Sequence, residues 1–340
     1  MSIFNQAIIF VNEMMNKVLN GNDINLKEAE KLLTLSSPIS DDNDNIIVTL
    51  ANCANKITRS FNGELVDIET LINAKSGRCP EDCSFCAQSS FYDNKSNDIN
   101  KYPLLAKEVI LQQAKKAKEQ GATSFCLVCA YRSPPEKDFE IVCDTIEAIK
   151  KDVNIDVNVS LGFITREKAK RLKSLGVKRY NHNLETCESY FPQICKTHGF
   201  VDRVNTARIV KEEGLELCCG GIIGMGESTK QRLDLAFSIK SLNPDEVPIN
   251  ILIARKGTPL ADMYPLDAMD AIKTIAVWRF IMPNTILKIA GGREVILKDK
   301  ERLALKAGAN GIITGGYLTT GGKKPDEDIA MIKDIGLRTI

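Results

Sequence analysis

Apolar residues along the chain alternate between a helical period and short continuous runs, and this alternation repeats. One helical stretch carries Ala169, Leu172 and Leu175 on a single face, with Thr165 as its candidate N-cap, and a short β-branched run follows its end. Four such stretches end at a glycine, the residue that adopts the left-handed C-cap conformation most readily: Gly121, Gly176, Gly214 and Gly308. The repeated unit is therefore a strand joined to a crossover helix.

Eight short apolar runs alternate with these helices, which favours an α/β fold built from a closed, TIM-type (β/α)8 barrel. Short strands that read as buried, each separated from the next by a helix, form parallel βα units. An open doubly wound sheet is the alternative, but no Gly-x-Gly-x-x-Gly sequence opens a first helix. The runs lie near Leu71, Ser124, Ile155, Val177, Leu215, Val247, Ile286 and Gly311.

The two ends of the chain do not follow the repeat. Residues 1 to about 50 predict two helices with polar faces, with Asp23 and Asn25 as candidate caps and a break at Ser36-Ser37-Pro38. A Gly/Thr-rich loop near the other end precedes a short helix that ends near Gly336. We therefore divide the chain into an N-terminal helical extension (1–45), a barrel (46–317) and a C-terminal loop and helix (318–340).

The charge balance and the cysteines restrict the function classes. With 45 Lys and Arg against 44 Asp and Glu, the net charge of +1 supplies no broad cationic surface, so we expect neither nucleic acid nor a membrane as partner. The first 20 residues lack the pattern of a signal peptide, and no apolar run reaches the length of about 18 residues that a spanning helix needs. Eleven cysteines, an odd and clustered set, fit reduced thiols in the cytoplasm better than a disulfide framework.

Three of those cysteines, Cys79, Cys83 and Cys86, follow the first strand, where the active-site loops of a barrel begin. Thiolates at the spacing Cys-x3-Cys-x2-Cys can bind one soft-metal centre, and a four-iron cluster takes four protein ligands. Three ligands leave one iron open to a substrate or cofactor. The alternative is a structural zinc site completed by Cys126 or His182.

This cysteine motif resembles that of the radical S-adenosylmethionine superfamily. The resemblance implies a 4Fe-4S cluster on the three cysteines, and S-adenosylmethionine that chelates the open iron and is cleaved to a 5'-deoxyadenosyl radical. Five more segments, in the same order, are similar to the biotin synthase family, so that the resemblance covers roughly residues 45 to 320. These segments are 180–186, 220–227, 247–250, 256–260 and 291–294.

The family resemblance implies a sulfurtransferase that inserts sulfur into dethiobiotin to form biotin. It places dethiobiotin's ureido ring against Asn183 and Asn250, and amide groups suit the donors and acceptors of a neutral urea. Glu185 stands where the family has Asp, and keeps the carboxylate on a longer side chain. The resemblance further implies flavodoxin or ferredoxin as electron donor and a homodimer. Its cofactor-binding positions are Lys75, Phe85, Asn183, Glu185, Arg203 and Ile222.

Members of this family also hold an auxiliary two-iron cluster on three cysteines and an arginine, and this chain departs from that pattern. Two of the cysteine positions are Cys126 and Cys218, but the third is Asn158 and the arginine position is Lys288. Lysine lacks the guanidinium fork and does not replace arginine conservatively at a buried metal site. Lys288 either balances the charge of the cluster, or hydrogen-bonds a sulfide, or pairs with a barrel carboxylate.

Two additional thiols, Cys129 and Cys219, lie beside the two that remain. Four cysteines suit a four-iron cluster better than a two-iron cluster with an arginine ligand, so we hypothesise an altered, four-iron auxiliary cluster that supplies the sulfur. Its candidate catalytic residues are Cys126, Cys218 and Lys288. Adjacent strand residues face opposite sides, so Cys219 turns inward only if Gly220 and Gly221 allow a bulge.

The other four cysteines, Cys53, Cys143, Cys187 and Cys195, predict small buried or loop residues, with Cys195 a candidate reactive thiol because Lys196 and His198 are near it in sequence. Two alternatives to the predicted activity stay open. One is another radical enzyme on the same barrel, similar to hydrogenase maturases or methylornithine synthase, and the other is an iron-sulfur scaffold without catalysis.

Overall fold

The computed structural model describes residues 3–35, 40–92, 96–97, 99–318 and 321–339. Within these ranges, parallel strands close into a barrel because the first strand pairs with both the second and the last of them. The fifth strand of the barrel is interrupted at Cys219 and Gly220, so its two halves are β5 and β6. The barrel strands are β1 Leu65–Lys75, β2 Ser124–Cys129, β3 Asp156–Ser160, β4 Arg179–Asn181, β5 Glu216–Cys218, β6 Gly221–Ile223, β7 Glu246–Ile251, β8 Ile286–Ile289 and β9 Gly311–Thr314.

Helices cover the outside of this barrel and confirm the predicted (β/α)8 fold. The predicted C-cap glycines all have positive φ, with Gly121 at 82° and Gly308 at 112°. The Thr165 side chain accepts a hydrogen bond from the Lys168 N–H, as expected of an N-cap. The helices are α1 Ile3–Leu19, α2 Leu26–Leu33, α3 Ser40–Asn62, α4 Lys107–Glu119, α5 Glu136–Asp152, α6 Arg166–Ser174, α7 Phe191–Ile194, α8 Phe200–Glu212, α9 Thr229–Ser241, α10 Ala268–Ile281, α11 Arg293–Ile296, α12 Glu301–Lys306 and α13 Pro325–Asp334.

The N-terminal prediction of two helices was wrong, because a third helix, α3, continues to Asn62. Leu50, Ala54 and Ile57 recur at helical spacing and are buried in the core, and α3 packs against α10 and α1. The proposed break at residues 36–38 lies outside the described residues. A boundary between residues 45 and 46 falls inside α3, and the division into three segments remains a prediction.

The C-terminal segment contains one element beyond the predicted loop and helix. A short strand, β10 (Arg338–Thr339), pairs with the start of β1 through Leu65 and Val66. In the described ranges, no helix combines the length and the apolar character needed to cross a membrane.

Strand alternation in β1 places charged groups inside the barrel. Val66 and Ile68 belong to the hydrophobic core, whereas Asp67 and Glu69 on the opposite face are buried acids within reach of Lys288 on β8. The barrel therefore has a charged interior on the side where its strands begin. The cysteine loop follows the carboxyl end of β1, at the opposite mouth.

Candidate active site

Backbone hydrogen bonds fold the cysteine loop into a compact turn at the barrel mouth. The Cys79 N–H donates to the Gln88 carbonyl (2.9 Å), and the Cys86 N–H donates to the Cys83 carbonyl (2.9 Å). All three cysteines line one cavity. Burial raises the pKa of Cys86 to about 11, so the metal-free thiol is protonated at neutral pH and iron binding releases a proton.

Three of the predicted cofactor-binding residues form one hydrogen-bonded group in this cavity. Arg203 on α8 donates to the Asn183 carbonyl (3.0 Å) and lies 3.5 Å from the Glu185 carboxylate. The Asn183 amide donates to Glu185 (3.4 Å) and accepts from the Gly220 N–H (3.1 Å). Burial raises the pKa of Glu185 more than Arg203 lowers it. The carboxylate and the amide thus face the three thiols across a shared space.

A second, mainly apolar cavity adjoins the first and contains the other predicted substrate residue. Phe85 and Cys86 line both cavities, and Ile222 and Asn250 line the second. The Asn250 side chain accepts from the Gly291 N–H (3.0 Å) and donates to the Gly221 carbonyl (3.3 Å), so its amide plane is fixed. Asn183 and Asn250 therefore lie in adjoining cavities on either side of Phe85 and Cys86.

Lys75, also predicted to bind a cofactor, is engaged with the backbone. Its ammonium donates to the carbonyls of Gly77 (2.9 Å) and Ala130 (2.8 Å) and stands 4.8 Å from the centre of the Tyr131 ring. It thereby ties the start of the cysteine loop to the residue after β2. A contact of Lys75 with a cofactor remains a prediction.

Two acidic residues of the cysteine loop, Glu81 and Asp82, hold residues 196–198, a segment that no sequence motif marks. Together we call them the acidic clamp. The Glu81 carboxylate accepts from His198 Nδ1 (2.6 Å) and also from Arg132 and the Thr197 hydroxyl. His198 Nε2 in turn accepts from Arg203 Nε (3.1 Å), which fixes the imidazole as the Nδ1–H tautomer. The clamp thus connects the cysteine loop to Arg203.

The second member of the clamp binds backbone. The Asp82 carboxylate accepts from the N–H groups of Lys196 (2.9 Å) and Thr197 (3.0 Å). Burial raises the pKa of Asp82, but these hydrogen bonds outweigh it and lower the pKa to about 2. Asp82 is therefore a carboxylate at any physiological pH.

Cys195 directly precedes the residues that the acidic clamp binds, and it contacts Cys83, a predicted cluster ligand. The Cys83 thiol donates to Cys195 Sγ at 3.9 Å, and this hydrogen bond raises the pKa of Cys83 and lowers that of Cys195. Among the described His, Cys, Asp and Glu residues, Cys83, Cys195 and His198 are the one group of three whose ligand atoms lie within 4.8 Å of one another.

Inside the barrel, Lys288 pairs with three carboxylates. Pairing with a barrel carboxylate was one of the roles that the sequence left open for this lysine. Its fully buried ammonium lies 2.9 Å from Asp67, 2.7 Å from Glu69 and 2.8 Å from Glu246. Burial lowers the pKa of Lys288, but the three carboxylates outweigh it and raise the pKa well above its usual value. Arg179 adds a second buried cation that pairs with Glu246.

Cys126 and Cys218, the predicted auxiliary-cluster ligands, face this charged interior. The Cys218 thiol donates to the Glu246 carboxylate (3.1 Å), and Asn181 donates to Cys126 Sγ (3.4 Å). Burial is the largest of the effects that raise the pKa of both thiols. Asn158, which occupies the third cysteine position of the family, donates to Glu69 (2.8 Å).

The two additional thiols lie in different surroundings. Cys129 is the last residue of β2 and lines the same cavity as the cysteine loop. Cys219 occupies the interruption between β5 and β6 and packs in the hydrophobic core, where burial raises its pKa to about 12. The interruption at Gly220 therefore does not turn Cys219 toward Cys218's side of the strand.

Comparisons with known proteins agree with this geometry. Residues 74–239 match the family model of the radical SAM superfamily, and residues 248–338 match that of the biotin and thiamin synthesis associated domain. The chain is 50% identical to the biotin synthase of Nitrosopumilus maritimus over 97% of this chain and 98% of that protein. It is 43% identical to the biotin synthase of Pelotomaculum thermopropionicum over 96% and 98% of the two chains.

Solved structures support the fold. The crystal structure of methylornithine synthase superposes with a TM-score of 0.83 at 20% identity, covering 96% of this chain and 97% of that one. The hydrogenase maturase HydG superposes with a TM-score of 0.82 at 17% identity, covering 99% and 78%. At such identities the likeness shows the fold alone, whereas the identity to the two biotin synthases, over nearly the whole sequence, shows the family. The chain therefore belongs to the biotin synthase family.

Proposed function

We propose that this protein converts dethiobiotin to biotin by sulfur insertion that depends on S-adenosylmethionine. The observation that carries the proposal is one cavity in which Cys79, Cys83 and Cys86 face Asn183, Glu185 and Arg203, beside a second cavity that contains Asn250. A 4Fe-4S cluster, when bound to those thiols, supplies the electron that cleaves S-adenosylmethionine to the radical that removes hydrogen from the substrate.

The residues of the first cavity fit such a cofactor. The loop provides three thiols for a cluster that takes four ligands, so one iron is left for the cofactor. Arg203 and Glu185 place a cation and a carboxylate nearby. Arg203 is itself fixed by His198 and by the Asn183 carbonyl, so it positions Glu185 and Asn183 as well as offering charge. These side chains would orient the amino acid and ribose groups of S-adenosylmethionine.

The second cavity fits dethiobiotin. Its lining is mostly apolar, with Ile222, Leu252 and Phe85 among its residues, which suits a hydrocarbon chain and excludes water from a radical. Asn250 presents an amide whose orientation is set by two backbone hydrogen bonds. An amide that is already fixed binds a cyclic urea with little further loss of side-chain entropy.

The interior residues do not fit an arginine-ligated two-iron cluster. The Lys288 ammonium is held by three carboxylates and has no lone pair to offer. The Asn158 amide nitrogen donates to Glu69 and Ser124 (3.2 Å), which leaves only an amide oxygen, a weak ligand for iron beside thiolates. We therefore propose a four-iron auxiliary cluster on Cys126 and Cys218 that serves as the sulfur donor. Cys129, which lines a cavity, is better placed than Cys219 to add a third thiolate.

Iron and sulfide counts per chain, combined with Mössbauer spectra, test the nuclearity. The proposal expects two four-iron centres in the reconstituted chain. A second centre of purely two-iron character would refute it.

We also propose a cytoplasmic homodimer that receives electrons from flavodoxin or ferredoxin. All eleven cysteines are free thiols, which supports a reducing compartment. Sedimentation of the reconstituted protein tests the oligomeric state, and a monomer at micromolar concentration would exclude the dimer.

The activity is tested by incubating the reconstituted protein anaerobically with dithionite, S-adenosylmethionine and dethiobiotin. Formation of both 5'-deoxyadenosine and biotin supports the proposal. Deoxyadenosine without any dependence on dethiobiotin would indicate a different substrate, and no cleavage of S-adenosylmethionine would indicate an iron-sulfur scaffold.

A further inference from the structure

Two cysteines from distant parts of the chain meet behind the cysteine loop. Cys83 Sγ and Cys195 Sγ are 3.9 Å apart, although 112 positions separate them in sequence. Cys83 and Arg203 line the first cavity, whereas Cys195 is not among its lining residues and packs with Cys83 and Phe191 in a small apolar cluster. A thiol outside the cavity lining is therefore in contact with a thiol that lines it.

The acidic clamp holds both sulfurs in this arrangement. Asp82, next to Cys83, accepts hydrogen bonds from the Lys196 and Thr197 N–H groups, which adjoin Cys195. The Asp82 carboxylate also contacts Cys195 Sγ directly, at 3.1 Å. Because the two segments are tied at residues adjacent to the two cysteines, the sulfurs are held close to each other.

We propose that Cys83 and Cys195 are an oxidation site, at which a peroxide forms a disulfide when Cys83 carries no iron. Closing the 3.9 Å gap to a bond of about 2.0 Å requires the sulfurs to approach by roughly 1.9 Å, within the range of side-chain rotation. The disulfide withholds one of the three loop ligands until a thiol reductant restores it. This consequence rests on the role of Cys83 in the proposed function.

The chemistry balances with hydrogen peroxide as the oxidant. One thiolate attacks the peroxide O–O bond, which gives a sulfenic acid and, after protonation, water. The second thiolate attacks the sulfenic sulfur, the S–S bond forms and a second water leaves. Two thiols are oxidised by two electrons in total, and one peroxide is reduced to two waters. A dithiol such as dithiothreitol reverses the step by thiol-disulfide exchange.

Other buried cysteines provide the contrast. Cys143 on α5 and Cys187 pack in the hydrophobic core, and Cys187 Sγ lies 3.3 Å from the Ser189 hydroxyl. Cys195 Sγ lies 3.9 Å from a second sulfur, that of Cys83, beside Asp82 (3.1 Å) and His198 (3.2 Å). Cys187→Ser is therefore a matched control, because it removes a buried thiol near Cys195 in sequence without removing either sulfur of the pair.

The experiment treats the full-length, iron-free chain with stoichiometric hydrogen peroxide, digests it under non-reducing conditions and identifies linked peptides by mass spectrometry. We expect a peptide pair joined through Cys83 and Cys195 in the native chain and in Cys187→Ser, and its loss in Cys195→Ser. The iron-loaded chain should give the linked pair only after its iron is released. Iron uptake by the oxidised chain should fall, and dithiothreitol should restore it.

Two results would overturn the inference, and both are read on the native chain, so they do not depend on the folding of a variant. One is a disulfide that links Cys83 mainly to Cys79 or Cys86. The other is that the thiols of Cys83 and Cys195 both remain alkylatable after peroxide treatment. A different outcome bears on the proposed function alone. If the linked pair forms but iron uptake is unchanged, the oxidation site stands and Cys83 is not a cluster ligand.

Discussion

The ammonium group of Lys288 lies 2.7 Å from the carboxylate of Glu69 at the centre of the barrel, between strands that are far apart in sequence. Asp67 and Glu246 complete its surroundings at 2.9 and 2.8 Å, and Arg179 pairs with Glu246. Three acids and two bases thus share one buried volume, and each charge depends on the others for compensation. Cys126 and Cys218 face this network, so its integrity bears on both folding and the proposed auxiliary cluster.

Replacing Lys288 with Met should destabilise the iron-free chain by about 3–5 kcal/mol, because three carboxylates lose their common buried partner. Chemical denaturation followed by circular dichroism measures the change in the free energy of unfolding. Lys306→Met is the matched control, since Lys306 is exposed on α12 and should change stability by less than about 0.5 kcal/mol. Equal effects of the two variants would contradict the buried network.

The loss of unfolding free energy caused by Lys288→Met should depend on pH. Burial raises the pKa of Asp67 and Glu69, but Lys288, together with Arg179 at Asp67 and the Asn158 hydrogen bond at Glu69, outweighs it, so that both pKa values are lowered from 3.8 and 4.5. Their stabilising contribution is therefore present above those values and is lost as the pH falls through the lower folded-state values. Without Lys288, burial is compensated less and both pKa values rise, so the carboxyls of the variant are protonated at a higher pH than those of the native chain.

The difference in unfolding free energy between the native chain and Lys288→Met should therefore narrow as the pH falls from 7 to 4. Lys288 itself stays protonated over this interval, because its pKa lies well above it, so the change comes from the carboxyls. Denaturation series at several pH values measure the difference. A gap that stays constant or widens on acidification would show that the three carboxylates are not the partners of Lys288.

Arg203→Leu should weaken binding of S-adenosylmethionine while leaving iron content unchanged. Arg203 contacts Asn183 and Glu185 directly and is held by His198, so its loss releases the groups that face the cofactor. We expect the KM for S-adenosylmethionine to rise at least tenfold, equivalent to about 1.4 kcal/mol. Arg208 is exposed on the same helix, so Arg208→Leu should change neither the KM for S-adenosylmethionine nor the iron content. Loss of iron in Arg203→Leu would instead assign the residue a structural role.

Cys126→Ser and Cys218→Ser should separate the two proposed clusters. Each variant should lose the iron of one cluster and all biotin formation, yet still release 5'-deoxyadenosine, because the loop cysteines are unchanged. Iron analysis and product quantification by chromatography provide the readout. Cys143→Ser, a buried cysteine on α5, should keep full iron content and activity. Normal biotin yield from either interior variant would exclude that thiol as a ligand.

Local pattern was enough to predict much of the fold. The eight barrel strands, the glycines that end helices and the position of the cysteine loop after β1 depend on hydrophobic period and turn chemistry, which act over a few residues. Helix α3 was missed because its polar residues conceal an apolar stripe whose partner, α10, comes far later in the chain. Strand β10 is only two residues long and gives almost no periodic signal.

The site was predictable where it follows a motif and unpredictable where it depends on contacts between distant segments. Lys288 and Glu69 are 219 positions apart, and only the presence of charged residues within apolar strands indicated such a network. Cys195 meets Cys83 because two loops converge at the barrel mouth, which no local spacing encodes. By contrast, strand alternation already separated Cys218 from Cys219, and the structure places Cys219 in the hydrophobic core.

In the proposed function, Cys79, Cys83 and Cys86 leave one iron of a cluster free to bind S-adenosylmethionine. Electron-nuclear double resonance on the reduced protein, with S-adenosylmethionine carrying nitrogen-15 in its amino group, measures that bond directly. We expect a nitrogen-15 hyperfine coupling that appears on addition of the labelled compound and is absent from a sample with unlabelled compound. A reduced cluster whose spectrum does not respond to S-adenosylmethionine would mean that a fourth side chain completes its coordination and that no iron is open to the cofactor.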